Sequence, residues 1–244
     1  MHTIILAAGQ GSRLAPLCED IPKTLLELDE KTILQHIFQV CIDCGIYDYS
    51  IVTGHGHSEV DTFLADFLIQ QPDIRVDMIY NDEYLNKGNI YSYYKAKHLF
   101  DDDHIIINSD TIFHRNILDD LIAHPEKNVM AVDDKKALSE EEMKILLDEN
   151  NQIKKIHKSI NPTEAVGEYI GIMKIGKEHA SQIIEALEKT MAVDDSLYYE
   201  DGLQKAIEMG MPMHMQSTKG LPTMEIDTHE DLDEARNLIE EIKN

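Results

Sequence analysis

The chain has 244 residues, 43% hydrophobic and only 6% aromatic, with no tryptophan; such a composition excludes wholesale disorder and fibrous repeats, and the length fits one large α/β domain. Twenty-two lysines and arginines face 46 acidic residues, a formal charge of −24 that repels nucleic acid and anionic bilayers as broad partners. A small anionic ligand remains compatible with that field where a few cations are focused in one pocket.

In chain order, the apolar run at residues 4–7 reads as a strand buried on both faces. It is too short to cross a bilayer and no basic stretch precedes it, so the chain is expected in the cytoplasm with no membrane partner. A helix is expected over 34–44, with Leu34, Ile37, Phe38 and Cys41 on one face and Gly45 as its stop. Cys41 and Cys44 form a C-x-x-C, but they belong to that helix and no second pair completes a metal site; they are read as core thiols. Residues 49–53 read as a strand. Ser58-x-x-Asp61 then resembles a capping box opening a helix that carries Val60, Phe63, Leu64, Phe67 and Leu68. His55 and His57 lack a third ligand at useful spacing and are read as loop histidines. A strand over 75–80, a helix over 89–100 and a strand over 104–108 complete an alternation typical of parallel βαβ units.

From 129 to 176 the pattern changes to short strands, at 129–133, 143–147, 153–157 and 169–175, with Glu149-Asn150-Asn151 turning a hairpin. Helices return over 183–190 and 201–209. Thr228-x-x-Asp231 caps a last one with Leu232, Ala235, Leu238, Ile239 and Ile242 along one face. There is no internal repeat. The expectation is a single domain over 1–244, of α/β class, with a small β-rich lobe at about 129–176.

The informative segment begins where the first strand runs into Leu6-Ala7-Ala8-Gly9-Gln10-Gly11-Ser12-Arg13. Glycines directly after a strand let backbone N–H groups approach a ligand, the arrangement that cradles phosphate oxygens. A dinucleotide fingerprint requires a third glycine where Leu14 stands, and no G-K-[ST] follows for a Walker loop. Instead one cation, Arg13, lies inside the loop and another, Lys23, follows Pro22. In so acidic a chain this pair suits a triphosphate.

Residues 3–28, T-I-I-L-A-A-G-Q-G-S-R-L-A-P-L-C-E-D-I-P-K-T-L-L-E-L, resemble the signature of the sugar-phosphate nucleotidyltransferase superfamily, L-A-A-G-x-G-x-R-L-x-P-L followed by P-K. The resemblance implies a Rossmann-like three-layer α/β/α sandwich with a mixed central sheet. It also implies a nucleotidyltransferase that uses Mg²⁺, with Leu6, Ala7, Ala8, Gly9, Gly11 and Ser12 at the nucleotide and Arg13 and Lys23 as catalytic cations.

Mg²⁺ takes one or two carboxylates plus phosphate oxygens. Asp110 ends the isoleucine-rich strand at 104–108, on the side where open α/β sheets bind ligands. Asp227 closes an E-I-D segment before the last helix. The resemblance pairs the two as metal ligands. Members acting on sugar phosphates commonly carry E-K-P in the β-rich region, where this chain reads His157-Lys158-Ser159. Gly88-Asn89-Ile90-Tyr91-Ser92, Tyr199-Glu200-Asp201 and Glu225-Ile226-Asp227-Thr228 are instead similar to the short phosphocholine and 2-aminoethylphosphonate cytidylyltransferases. That similarity implies CTP and a small phosphate or phosphonate acceptor, bound by Lys158, Glu168, Tyr199, Glu200 and Asp201. Asn81 and Gly88 are assigned to the base by position in the fold. The alternatives are a uridylyl- or thymidylyltransferase for a sugar-1-phosphate and a catalytically silent nucleotide-binding paralogue. Lys23 is expected to be exposed, so that its loss lowers turnover far more than stability.

Overall fold

The alternation of isoleucines along the central strands dictates the layering. In the computed structural model, which describes residues 1–243, β1 (His2–Ala7) sends Ile5 and Ala7 to one face of a sheet and Ile4 and Leu6 to the other. Two separate cores result, one per face, as a strand buried on both sides requires.

After β1 come a one-turn 3₁₀ helix (Ser12–Leu14), a second (Lys23–Leu25) and a two-residue ribbon of β2 (Glu27–Leu28) and β3 (Lys31–Thr32). Thr32 opens α1 (Ile33–Asp43) with a capping box, its hydroxyl accepting from the Gln35 N–H and the Gln35 side chain accepting from the Thr32 N–H. Gly45, at φ +78°, ends the helix as expected. β4 (Asp48–Thr53) leads to α2 (His57–Gln70), which starts one residue before Ser58. Its N-cap is Gly56 in the left-handed region, and the Ser58 hydroxyl donates to Glu59 instead of capping. β5 (Arg75–Tyr80), α3 (Asn89–Lys95), β6 (His104–Asn108), β7 (Thr111–Phe113) and α4 (Arg115–Ala123) follow. The helix expected to 100 stops at Lys95 and continues as a 3₁₀ turn, Lys97–Leu99.

The next residues supply β8 (Val129–Asp133), β9 (Lys144–Leu147), β10 (Ile153–His157) and β11 (Gly167–Ile175). Asn151, at φ +59°, makes the tight turn between β9 and β10. The remainder is α5 (Ala180–Met191), α6 (Tyr199–Glu208), β12 (His214–Ser217), β13 (Thr223–Glu225) and α7 (His229–Lys243). Thr228 and Asp231 form the expected reciprocal cap before α7.

Nine strands form one mixed sheet in the order β10-β9-β11-β6-β1-β4-β5, with β8 paired to β11 and to β12. β1 runs parallel to β4 and β6, and β4 to β5, whereas β11 is antiparallel to β6, β8 and β9. The strands of 129–176 thus extend the same sheet that β1 anchors. One core joins Ile5, Ile51 and Ile107 to α1, α2, α4 and α7. The other joins Ile4, Val52 and Ile106 to α3, α5 and α6, so helices cover both faces. Since β1 connects to β4 on one side while β6 lies on the other, the chain switches direction beside the carboxyl ends of β1 and β6, where such sheets open a crevice. Among the described residues no helix is long and apolar enough to cross a membrane.

Candidate active site

At those strand ends lies a cavity of about 810 Å³. Its floor is the end of β1 and the glycine loop, Leu6 to Gly9 with Gly11. Gly11 sits at φ +61°, and a Cβ there would come within 3.0 Å of Cys18 Sγ, so the loop requires glycine for its own packing. Gly9 is different: a Cβ there meets nothing within 4 Å, and the backbone at that point faces open cavity.

Lys23 stands between two carboxylates brought from distant parts of the chain. Its Nζ lies 2.6 Å from Asp110 Oδ2 and 2.9 Å from Asp227 Oδ1. The lysine was expected to be a surface group, yet its side chain is only 13% exposed; the 3₁₀ turn after Pro22 packs it beneath the loop. Burial works against its charge, but the two carboxylates and their hydrogen bonds outweigh burial and hold its pKa above the ordinary lysine value. Arg13 reaches the other oxygen of Asp227, Nη2 to Oδ2 2.7 Å, while staying 60% exposed at the rim. Asp227 feels burial upward, but Lys23 and Arg13 together keep it below its usual value.

A third carboxylate, Glu225, completes this corner. Ligand atoms of Asp110, Glu225 and Asp227 lie within 4.8 Å of one another. Desolvation and the two aspartates push the Glu225 carboxyl up, to about 8. Glu225 belongs to the E-I-D segment, in which the sequence alone marks only Asp227 for the metal. β13 pairs antiparallel with β7, Glu225 opposite Thr111, and this pairing delivers the E-I-D segment to Asp110. Asp110 Oδ1 is buried and has no hydrogen-bond partner. Three crowded oxygen donors, one of them orphaned, fit a hard divalent cation such as Mg²⁺.

The opposite wall comes from β8, β11, the loop before β9, and α6. Glu168 and Glu142 share Lys136, whose Nζ lies 2.7 Å and 3.5 Å from them respectively. Burial raises the Glu168 pKa despite that lysine. The buried Lys144 ammonium donates to the carbonyls of Ser139, Glu140 and Glu142, fixing the loop that carries Glu141 and Glu142 to the rim. Lys158 and Glu200 also line the cavity, and Lys158 Nζ stands 5.2 Å from the ring centroid of Tyr198.

Several expected residues fall elsewhere. Tyr199 is fully buried, its hydroxyl bonded to Tyr169 and donating to Asn108 Oδ1; the aromatic ring at the cavity is its neighbour Tyr198. Asp201 caps α6, accepting from the Tyr198 N–H at 2.9 Å. Asn81 is buried, donating to Ser92 Oγ and accepting from the Glu83 N–H. Gly88 is the N-cap of α3, pressed against the carbonyls of Ser196 and Leu197. These four and Ser12 lie outside the cavity lining, whereas Asn89 and Ser92, from the segment similar to the cytidylyltransferases, lie within it, as do Asn108 and Ser109, which no motif marks.

Residues 2–142 match the nucleotidyl transferase family. The chain is 30% identical over 121 residues to the choline-phosphate cytidylyltransferase of Streptococcus pneumoniae (strain ATCC BAA-255 / R6), a match covering 50% of each chain, so it spans about half the length of that relative. It is 26% identical over 230 residues to the CTP:phosphoglutamine cytidylyltransferase of Campylobacter jejuni, covering 85% of this chain and 88% of that one. Among solved structures, the inositol-1-phosphate CTP transferase from T. maritima superposes with a TM-score of 0.83 at 21% identity, over 100% of this chain and 96% of that chain, a likeness of fold.

Proposed function

The chain belongs to the nucleotidyl transferase family, and on that premise we propose that it transfers a cytidylyl group from CTP to a small phosphate or phosphonate of the phosphocholine or 2-aminoethylphosphonate kind, releasing pyrophosphate. The observation that carries this reading is Lys23, largely shielded beneath the glycine loop and bridging Asp110 and Asp227 just beyond the ends of β6 and β13.

In the proposed reaction an acceptor oxygen attacks the α-phosphorus in line. The new P–O bond forms as the bond to the β-phosphate oxygen breaks, and both electrons leave with pyrophosphate. Because the acceptor oxygen is already anionic, no side chain has to remove a proton, and catalysis is positioning and charge neutralisation. Backbone amides of the loop from Ala8 to Ser12 hold the triphosphate. Arg13, exposed at the rim beside Asp227, meets the departing pyrophosphate. Lys23 bridges the α-phosphate and the incoming oxygen. Asp110 and Asp227, with Glu225 beside them, would hold Mg²⁺, which when bound supplies further neutralisation of phosphate charge. Lys158 and the carboxylate wall receive the acceptor. The lean to CTP rests on the named relatives and on the Gly88 to Ser92 segment, since Asn81 and Gly88 lie outside the cavity.

Pyrophosphate release with Mg²⁺ across CTP, UTP, dTTP, ATP and GTP, each paired with phosphocholine, 2-aminoethylphosphonate, inositol-1-phosphate and glucose-1-phosphate, tests this. Asp110→Ala is the blank. Turnover confined to CTP with an amino-alkyl acceptor is the expected result; turnover with UTP or dTTP and a sugar phosphate overturns the acceptor and base assignment. Binding of CTP without turnover on any acceptor points to the silent paralogue.

A further inference from the structure

Among the cavity carboxylates Glu200 has an unusual setting. Asp110 and Asp227 hold Lys23, and Glu142 and Glu168 hold Lys136. Glu200, in the first turn of α6, is 6% exposed and lines the cavity, yet its Oε2 is buried with no hydrogen-bond partner. Among the described residues no cation forms an ion pair with it. Leaving a desolvated carboxylate oxygen without a donor is costly. Burial pushes its carboxyl up to about 7, and the opposing pull of its own backbone N–H, the Tyr199 hydroxyl and the Lys158 charge does not reverse the effect.

The group that would relieve this cost has two properties. It is cationic, because on the surrounding wall Asp133, Glu141, Glu142 and Glu168 outnumber Lys136 and Lys158. It also carries N–H bonds, since a quaternary ammonium has none to give and is held instead by the faces of several aromatic rings. Among the described residues no such cage lines the cavity. Tyr169 and Tyr199 are 3% and 0% exposed, lie edge-on to each other at 84° and share their hydroxyls. Of the two tyrosines in the described lining, Tyr169 is 3% exposed and Tyr198 is the exposed one, and Lys158 already stands over its ring; the chain has no tryptophan.

We propose that the cavity selects acceptors whose far end is a protonated primary or secondary amine, with Glu200 accepting its N–H and Tyr198 only bordering it. This rests on the cytidylyl-transfer reading above, which places the acceptor's phosphate toward Lys23. It adds to that reading by separating amino-alkyl phosphates from their trimethylated counterparts, both of which the reading allows.

Calorimetric binding in the presence of Mg²⁺ and a non-hydrolysable CTP analogue tests this without requiring turnover. The probes are phosphoethanolamine, its N-methyl and N,N-dimethyl forms, phosphocholine, and ethyl phosphate as the uncharged-tail control. Phosphoethanolamine is expected to bind about a hundredfold more tightly than phosphocholine or ethyl phosphate. Glu200→Gln should erase most of that difference, with the affinity for the CTP analogue reporting an intact fold. Equal or tighter binding of phosphocholine, or discrimination that survives Glu200→Gln, overturns the proposal while leaving cytidylyl transfer standing. Failure of the wild-type chain to bind the CTP analogue overturns both.

Discussion

Replacing Lys23 by methionine keeps the aliphatic stem and removes the charge between Asp110 and Asp227. Ligand atoms of those two and Glu225 lie within 4.8 Å of one another; at an effective dielectric of about 20, two unit charges at that separation repel by about 3 kcal/mol. Part of that repulsion is relieved when a carboxylate takes up a proton, as Glu225 is already inclined to do. The net loss expected at pH 7 is about 2 kcal/mol, or a midpoint for thermal unfolding lower by roughly 4–8 °C in a chain of this size. The pH dependence follows from the two shifts. Lys23 is raised in the folded state, so its stabilisation is complete below the unfolded lysine value of about 10 and is lost only as pH rises past the folded one. Asp227 is lowered, so its share is present above about pH 4 and is lost as pH falls through the depressed value. The wild-type advantage over the variant should therefore be flat from about pH 5 to 10 and shrink in acid. Turnover should fall about 10²–10³-fold, the scale for removing one positioned charge from a transition state. Urea and thermal unfolding at several pH values, with pyrophosphate release in parallel, measure both effects. Unchanged stability at pH 7 would refute the electrostatic reasoning, and unchanged turnover would remove Lys23 from the chemistry.

Arg13→Ala should leave stability within about 0.5 kcal/mol, because the side chain is 60% exposed and its ion pair lies at the rim; steady-state kinetics should still show pyrophosphate release reduced at least tenfold, and equal kinetics would remove Arg13 from the triphosphate. Gly88→Ala should cost more than about 2 kcal/mol, since its Cβ would lie 2.0 Å from the Leu197 carbonyl and 2.4 Å from that of Ser196, backbone atoms that cannot swing aside; an unfolding midpoint within error of wild type would contradict the packing of α3 against the chain before α6. The folded state keeps a proton on Glu200 up to about pH 7 that the unfolded chain releases near 4.5, so this group's contribution falls as pH rises through that window, by up to about 3 kcal/mol. The difference between wild type and Glu200→Gln, followed by denaturant unfolding from pH 4 to 8, should track that slope; a flat difference would mean that Glu200 is not desolvated.

Much of this protein was legible as sequence, because strands and helices announce themselves through local spacing. The isoleucine runs, the helix faces, the glycine loop with its flanking cations and the Thr228 cap are all patterns within one turn or one strand; the α/β class followed from them, and the family from the resemblance of residues 3–28 to its signature. Elements too short to show a period escaped: β2, β3, β7 and β12 have two to four residues each, and α4 was also passed over. At helix starts a one-residue shift turns the face by about 100°, which is why Tyr198 meets the cavity and Tyr199 the core. Only the tertiary structure decided that Lys23 and Asp227, 204 positions apart, share a hydrogen bond, that β13 on β7 brings Glu225 to Asp110, and that a lysine expected at the surface is largely shielded between Asp110 and Asp227. Charge and burial at a site depend on which distant strand ends converge there, and that is set by the pairing order of the sheet, which no local spacing encodes.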